Sequence, residues 1–218
     1  MIETIFLLDV DNTLLDNDRV IHDIDQQFLR TFGEIGRQKY WAISEALRSD
    51  LGYVDYLGAL QRYRNNSVTD PRLFAQSAFF LDYPFSQRLY PQALDALRHL
   101  QRLGRAVLVS DGDIVFQPRK IQRSGLWDAV DGRVLIYQHK EHMLADLEQR
   151  YPAQHYVMVD DKIQILSAMK KIWADRLTTV FVRQGHYALD ATTVNNFPAA
   201  DISIDTIAEL SQVDFSVG

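Results

Sequence analysis

The sequence predicts an α/β protein, a parallel β-sheet core with an inserted α-helical unit, and three observations lead there. Short apolar runs recur along the chain, segments of helical period separate most of them, and one long interval after the first run has helical period with no convincing strand. The runs cover residues 5–8, 106–109, 134–137, 156–159, 179–182 and 202–204. Continuous apolar stretches of this length read as strands buried on both faces. Residues 91–103 show the intervening period best: Ala93, Leu94, Leu97, Leu100 and Leu103 share one face, Pro91 opens the segment and Gly104 ends it. Strand, helix, strand is the rhythm of a parallel sheet.

Residues 17–87 break that rhythm. Amphipathic stretches at 20–32, 37–47, 53–63 and 71–80 follow one another there, and their apolar faces need burial against each other. The expected division is a core of residues 1–16 and 88–218 with a helical cap of residues 17–87. The competing arrangement is one merged helical layer over the sheet. The chain shows no internal repeat, low-complexity segment or long flexible linker.

Composition narrows the function classes. The 218 residues, with 47% hydrophobic content, suffice for a substantial core. There are 29 acidic and 23 basic side chains, a net charge of −6, and no Lys or Arg run long enough to track a nucleic-acid backbone. Nucleic acid is therefore not the expected partner. Cysteine is absent, which excludes disulfides, thiolate catalysis and Cys-based zinc sites. The opening residues carry no basic leader and no stretch of eighteen apolar residues occurs, so a soluble, cytoplasmic protein without a membrane partner is expected.

The chemistry-bearing residues fall at strand ends. Asp9-Val10-Asp11-Asn12-Thr13 closes the first strand, so two carboxylates two residues apart emerge where an open parallel sheet places its ligand crevice. Taken alone, the pentad could equally cap a helix and mark a turn. Ser110 follows the second strand and precedes Asp111-Gly112-Asp113; a hydroxyl there can hold a phosphoryl oxygen, or simply cap a helix. Asp-Gly-Asp lacks the spacing and terminal acid of a calcium-binding loop. Lys140 lies beyond the third strand at a helix start, with Lys120 and Lys162 as rivals for the same role. His139, Glu141 and His142 beside it lack the four-residue helical spacing of a zinc pair. Asp160 and Asp161 end the fourth strand, where adjacent acids repel each other without a cation. Together these positions put four carboxylates, a hydroxyl and an ammonium at one crevice. Oxygen-only ligands point to Mg²⁺ rather than zinc.

The order of these residues resembles the haloacid dehalogenase-like hydrolase superfamily over nearly the whole chain. Asp9 to Thr13 looks like its first motif, Ser110 its second, Lys140 its third and Asp160-Asp161 its fourth. The resemblance implies a Rossmann-like core with a type 1 helical cap inserted between the first two motifs. Two departures stand out: Asn12 and Gln92 occupy positions where the family frequently has glycine. A third is Ile165, which stands where a further acid could follow the pair. The resemblance further implies a phosphatase with Asp9 as nucleophile and Asp11 as acid and base. Asn12, Thr13, Ser110, Asp111 and Lys140 would surround the phosphate. Mg²⁺ would be held by Asp9, the backbone carbonyl of Asp11, and Asp160 or Asp161. The substrate would be a small phosphorylated metabolite, its identity set largely by residues 17–87. Rival readings are a metal-independent 2-haloacid dehalogenase, disfavoured by the acid at Asp11, a phosphosugar mutase, and a noncatalytic binding protein of the same fold. A phosphoaccepting receiver places its acid pair before the acceptor, which this order rejects.

Overall fold

The computed structural model describes residues 4–64 and 70–215. Positions 1–3, 65–69 and 216–218, which include part of the expected cap, lie outside the described residues. Six parallel strands form one sheet: β1 (Thr4–Leu8), β2 (Arg105–Asp111), β3 (Val134–Tyr137), β4 (His155–Asp160), β5 (Leu177–Val182) and β6 (Ile202–Ile204). Their spatial order is β3-β2-β1-β4-β5-β6. The chain winds one way from β1 to β3, then returns to the other side of β1 and winds to β6. That reversal lies between β1 and β4, and open α/β sheets hold their ligands beyond the strand ends at such a point.

Alternation along the strands separates two cores. Phe6, Leu8, Ala106, Leu108, Val157 and Val159 face one side, while Ile5, Leu7, Val107, Val109, Tyr156 and Met158 face the other. All twelve are buried, as continuous apolar strands covered on both faces require. β3 departs from the expectation of full burial: as an edge strand it is only half-buried along its length. Helix α4 (Ala93–Leu103) leads into β2, and α5 (Phe116–Ser124), α6 (Leu126–Ala129), α7 (Leu144–Arg150) and α8 (Ile163–Trp173) fill most of the connections between β2 and β5. Two short helices, Gly185–Leu189 and Ala191–Val194, follow β5.

Between β1 and β2 the described residues before α4 hold helices and one 3₁₀ turn, with no strand. The helices are α1 (Asn17–Leu51), α2 (Tyr56–Tyr63) and α3 (Arg72–Asp82). The stretches expected at 20–32 and 37–47 both fall in α1, which is broken at Gly33 (φ 70°, ψ −179°). Asp16 caps its first turn by accepting from the Arg19 amide, and Gly52 ends it in the left-handed region. Phe28 stacks on Tyr40 across that break at 3.9 Å, and Phe80 and Tyr63 pack around the pair. These aromatics are helical core rather than ligand surface. Their cluster runs on through Phe116 into the sheet face, so the helical insertion shares a core with the strands below it.

Candidate active site

The first crevice loop is folded by its own backbone. Leu14 and Leu15 amides both donate to the Val10 carbonyl, at 3.0 and 2.9 Å, and the Asn12 amide donates to Leu15 at 2.7 Å. That turn demands φ 62° at Asn12, which explains why glycine would serve there. Asparagine is among the few other residues that enter this region, because its side chain can bond locally. Here Asn12 Oδ1 accepts from the Asp18 amide at 3.1 Å and Nδ2 donates to Asp18 Oδ1 at 3.0 Å. Gly185 completes the arrangement: a Cβ there would stand 2.4 Å from Asn12 Cβ. Gln92, the second departure, likewise has φ 62°.

Asp9 follows β1 directly and extends its pairing, with its amide donating to Val159 at 3.0 Å. Its carboxylate meets Lys140 Nζ at 2.5 Å, and the same ammonium stands 2.7 Å from Asp160 Oδ2. Lys140 is fully buried and is delivered by a 3₁₀ turn, Lys140–His142, whose first amide donates to Asp111 Oδ1 at 2.8 Å. Burial opposes its charge, but Asp160, Asp9 and Asp111 outweigh that and raise its pKa above the usual lysine range.

Asp160 ends β4, and Asp161 follows with its amide donating to Thr13 Oγ1 at 3.1 Å. Both acids are buried, so neither is a solvent-facing turn residue. Neither oxygen of Asp161 has a hydrogen-bond partner among the described residues. Burial, reinforced by Asp160 and Asp9, pushes the Asp161 carboxyl well above the carboxylate range. Burial likewise raises Asp160, against the pull of Lys140. Asp9, Asp160 and Asp161 each offer an oxygen, and these atoms lie within 4.8 Å of one another. A buried carboxylate with no donor costs several kcal/mol unless a cation or proton offsets it. Three hard oxygen donors this close fit a small divalent cation such as Mg²⁺.

The remaining expected residues stand around this cluster. The Asp11 carboxylate does not join the other three; it turns to Lys120 Nζ, 2.8 Å from each oxygen, because that buried ammonium needs a counter-charge. The Asn12 and Thr13 side chains bond Asp18 and the Asp161 amide and so shape the loop, and Asn12 also lines the cavity above it. Asp111 lines the cavity but its Oδ1 orients the Lys140 turn, and burial raises its carboxyl to about 6 against the pull of Lys140. Ser110, at the end of β2, is buried and its Oγ accepts from Gln117 Nε2 at 2.8 Å. The hydroxyl hydrogen is thereby left to donate elsewhere.

Gln117 was not expected. It also reaches Asp11 Oδ2 at 3.3 Å, and with Lys120 it forms an i, i+3 pair on α5. Residues three apart share a helix face, and that face, just after Ser110, was the available signal. All three candidate lysines stand at the site. Lys140 serves Asp9, Lys120 serves Asp11, and Lys162 lies over the Tyr187 ring at 4.8 Å on the cavity wall.

A cavity of about 390 Å³ opens above Asp11 between core and helical insertion. Arg48, Tyr53 and Tyr56 line it from the insertion, and Lys162 and Tyr187 from the core. Arg48 donates to the Tyr187 hydroxyl at 3.0 Å, while His186 Nδ1 lies 2.6 Å from Asp18. Both contacts tie α1 to the short helix Gly185–Leu189 after β5.

A sheet that reverses between β1 and β4, with a buried acid cluster and a lysine at the reversal, places these groups at the ligand crevice of an open α/β fold. The haloacid dehalogenase-like hydrolase family model matches residues 4–172, and the chain belongs to that family. A presumed haloacid dehalogenase-like hydrolase from Burkholderia xenovorans LB400 shares 57% identity and a TM-score of 0.91, covering 98% of this chain and 100% of its own. The fold also matches L-2-haloacid dehalogenase from Xanthobacter autotrophicus, with chloropropionic acid covalently bound, at TM-score 0.62 and 16% identity over 97% and 98% of the chains. YfnB from Bacillus subtilis, a presumed hydrolase bound to magnesium, gives TM-score 0.60 and 14% identity over 97% and 98%. No curated protein matches the sequence.

Proposed function

We propose that the protein is a Mg²⁺-dependent phosphomonoester hydrolase acting on a small phosphorylated metabolite. The observation that carries this reading is the Asp161 carboxylate, buried beside Asp9 and Asp160 with neither oxygen meeting a donor among the described residues. Displacing halide from carbon has no use for such a cation site, whereas a carboxylate attacking a phosphate dianion does. When bound by Asp9, Asp160 and Asp161, Mg²⁺ would supply the positive charge that lets two anions approach.

The chain's own residues divide the remaining work. The Asp9 carboxylate attacks phosphorus, forming an acyl phosphate as the P–O bond to the leaving group breaks. Asp11 gives its proton to the departing oxygen, then takes one from the water that cleaves the acyl phosphate to release inorganic phosphate and free Asp9. Lys140 orients Asp9 and, with the Ser110 hydroxyl, faces the non-bridging oxygens as charge develops. The helical insertion contributes the cavity wall above Asp11, where the leaving group would sit, and so sets substrate choice.

The test is hydrolysis of p-nitrophenyl phosphate. Turnover with Mg²⁺, its loss in EDTA and an inert Asp9→Asn variant are expected. Metal-independent chloride release from 2-chloropropionate overturns the proposal in favour of a dehalogenase. Inactivity across a broad panel of phosphate esters overturns it in favour of a binding protein.

A further inference from the structure

We infer that Lys120 is a positioning residue that sets where the Asp11 carboxylate points; the inference rests on the phosphatase reading above. Lys120 is 1% exposed, and its ammonium donates to three oxygens: Asp11 Oδ1 and Oδ2 at 2.8 Å, and Asn17 Oδ1 at 2.9 Å. The donors of an ammonium number three, so it is saturated. A lysine held this way has no freedom to follow a substrate. The Asp11 side chain, by contrast, keeps 27% of its surface open and faces the cavity.

The geometry matters because of what each partner belongs to. Asp11 sits on the crevice loop after β1, Lys120 on α5 of the core, and Asn17 is the first residue of α1, where the chain enters the helical insertion. One ammonium therefore registers the acid and base against both the core and the start of the insertion. Gln117, one turn earlier on α5, adds a bond to Asp11 and a second to Ser110, tying the same helix face to the phosphoryl side. The Lys120 ammonium also lies over the Phe116 ring at 5.4 Å, and Phe116 is part of the aromatic cluster shared with the insertion. Without Lys120 the Asp11 carboxylate would keep only the 3.3 Å bond from Gln117, and proton delivery to the leaving oxygen would lose its fixed orientation.

This predicts a loss that depends on the leaving group. An alkyl phosphate needs its leaving oxygen protonated, while p-nitrophenolate departs without help. In Lys120→Met, kcat/KM for glycerol phosphate should fall roughly 100-fold, the cost of misplacing a reacting group and the low end of what a positioned proton donor contributes, with kcat/KM for p-nitrophenyl phosphate nearly retained. The acyl-phosphate hydrolysis should slow as well, so rapid mixing with p-nitrophenyl phosphate should show a burst absent from the wild type. In an Asp11→Asn background, Lys120→Met should add no further selective loss. Should Lys120→Met fail to fold, Lys120→Gln, which keeps a donor near Asp11, takes the same comparison. Equal losses for both esters, or a selective loss that persists beside Asp11→Asn, overturn the inference and leave the phosphatase standing. A wild type that cleaves neither ester overturns the phosphatase, and this inference with it.

Discussion

Lys140→Met is the perturbation that tests most directly how the acid cluster is held. The ammonium is fully buried between Asp9 and Asp160, at 2.5 and 2.7 Å, with Asp161 in the same cluster. Methionine fills the aliphatic space and removes the charge, leaving buried carboxylates without their compensating cation. Removing one partner of a buried pair costs about 3–5 kcal/mol. For a chain of this length each kcal/mol lowers Tm by roughly 2–4 °C, so a fall of roughly 6–20 °C is expected in EDTA. The pH dependence has a definite sign. Burial and neighbouring acids raise the Asp160 and Asp161 carboxyls, so the folded state retains protons that the unfolded chain releases above its ordinary pKa of about 3.9. Stability therefore declines as pH rises past that value. Loss of the Lys140 charge, which pulls Asp160 downward, steepens the decline, and the gap between variant and wild type should widen from pH 5 to pH 8. Scanning calorimetry or fluorimetry in EDTA at both pH values measures it. A variant within about 2 °C of wild type at pH 8, or a gap that narrows with pH, would refute the claim that Lys140 neutralises this cluster.

Two further outcomes follow from the same geometry. Saturating Mg²⁺ should stabilise the wild type, by about 2.7 kcal/mol at a hundredfold excess over Kd, or roughly 5–10 °C in Tm; Asp161→Asn should abolish most of that shift, and retention of it would remove Asp161 from the metal site. Gly185→Ala should destabilise by about 1–3 kcal/mol in urea titration, since φ is 73° and the new Cβ meets Asn12 side-chain atoms at 2.4 to 2.7 Å. Adding Asn12→Gly removes those atoms, so the double variant should lose less stability than the sum of the singles.

Much of the scaffold was legible because it rests on local pattern. Apolar runs of strand length must be covered on both faces, and their alternation with helical periods leaves a parallel sheet as the economical arrangement. The helical character of the interval after β1 was legible for the same reason, since its described residues form α1, α2 and α3, whose apolar faces pack into the core they share with the sheet. Boundaries shifted where tertiary contacts intervened. β2 runs on through Ser110 and Asp111 because β3 pairs with both, at Ile136 and Tyr137, and two expected helices join as one broken at Gly33.

Chain order alone indicated which residues follow the apolar runs, and so that Asp9, Asp11, Ser110, Lys140, Asp160 and Asp161 are candidates for the carboxyl ends of the strands. Tertiary structure alone decided which way each side chain turns there. Three acids face one another, while Asp11 turns to Lys120 from a helix more than a hundred residues away in sequence. A strand's periodicity encodes the face it buries, and burial is a property of many residues at once. The partner of a single charge depends instead on which buried counter-charge the finished fold brings within about 3 Å, and no local pattern carries that information.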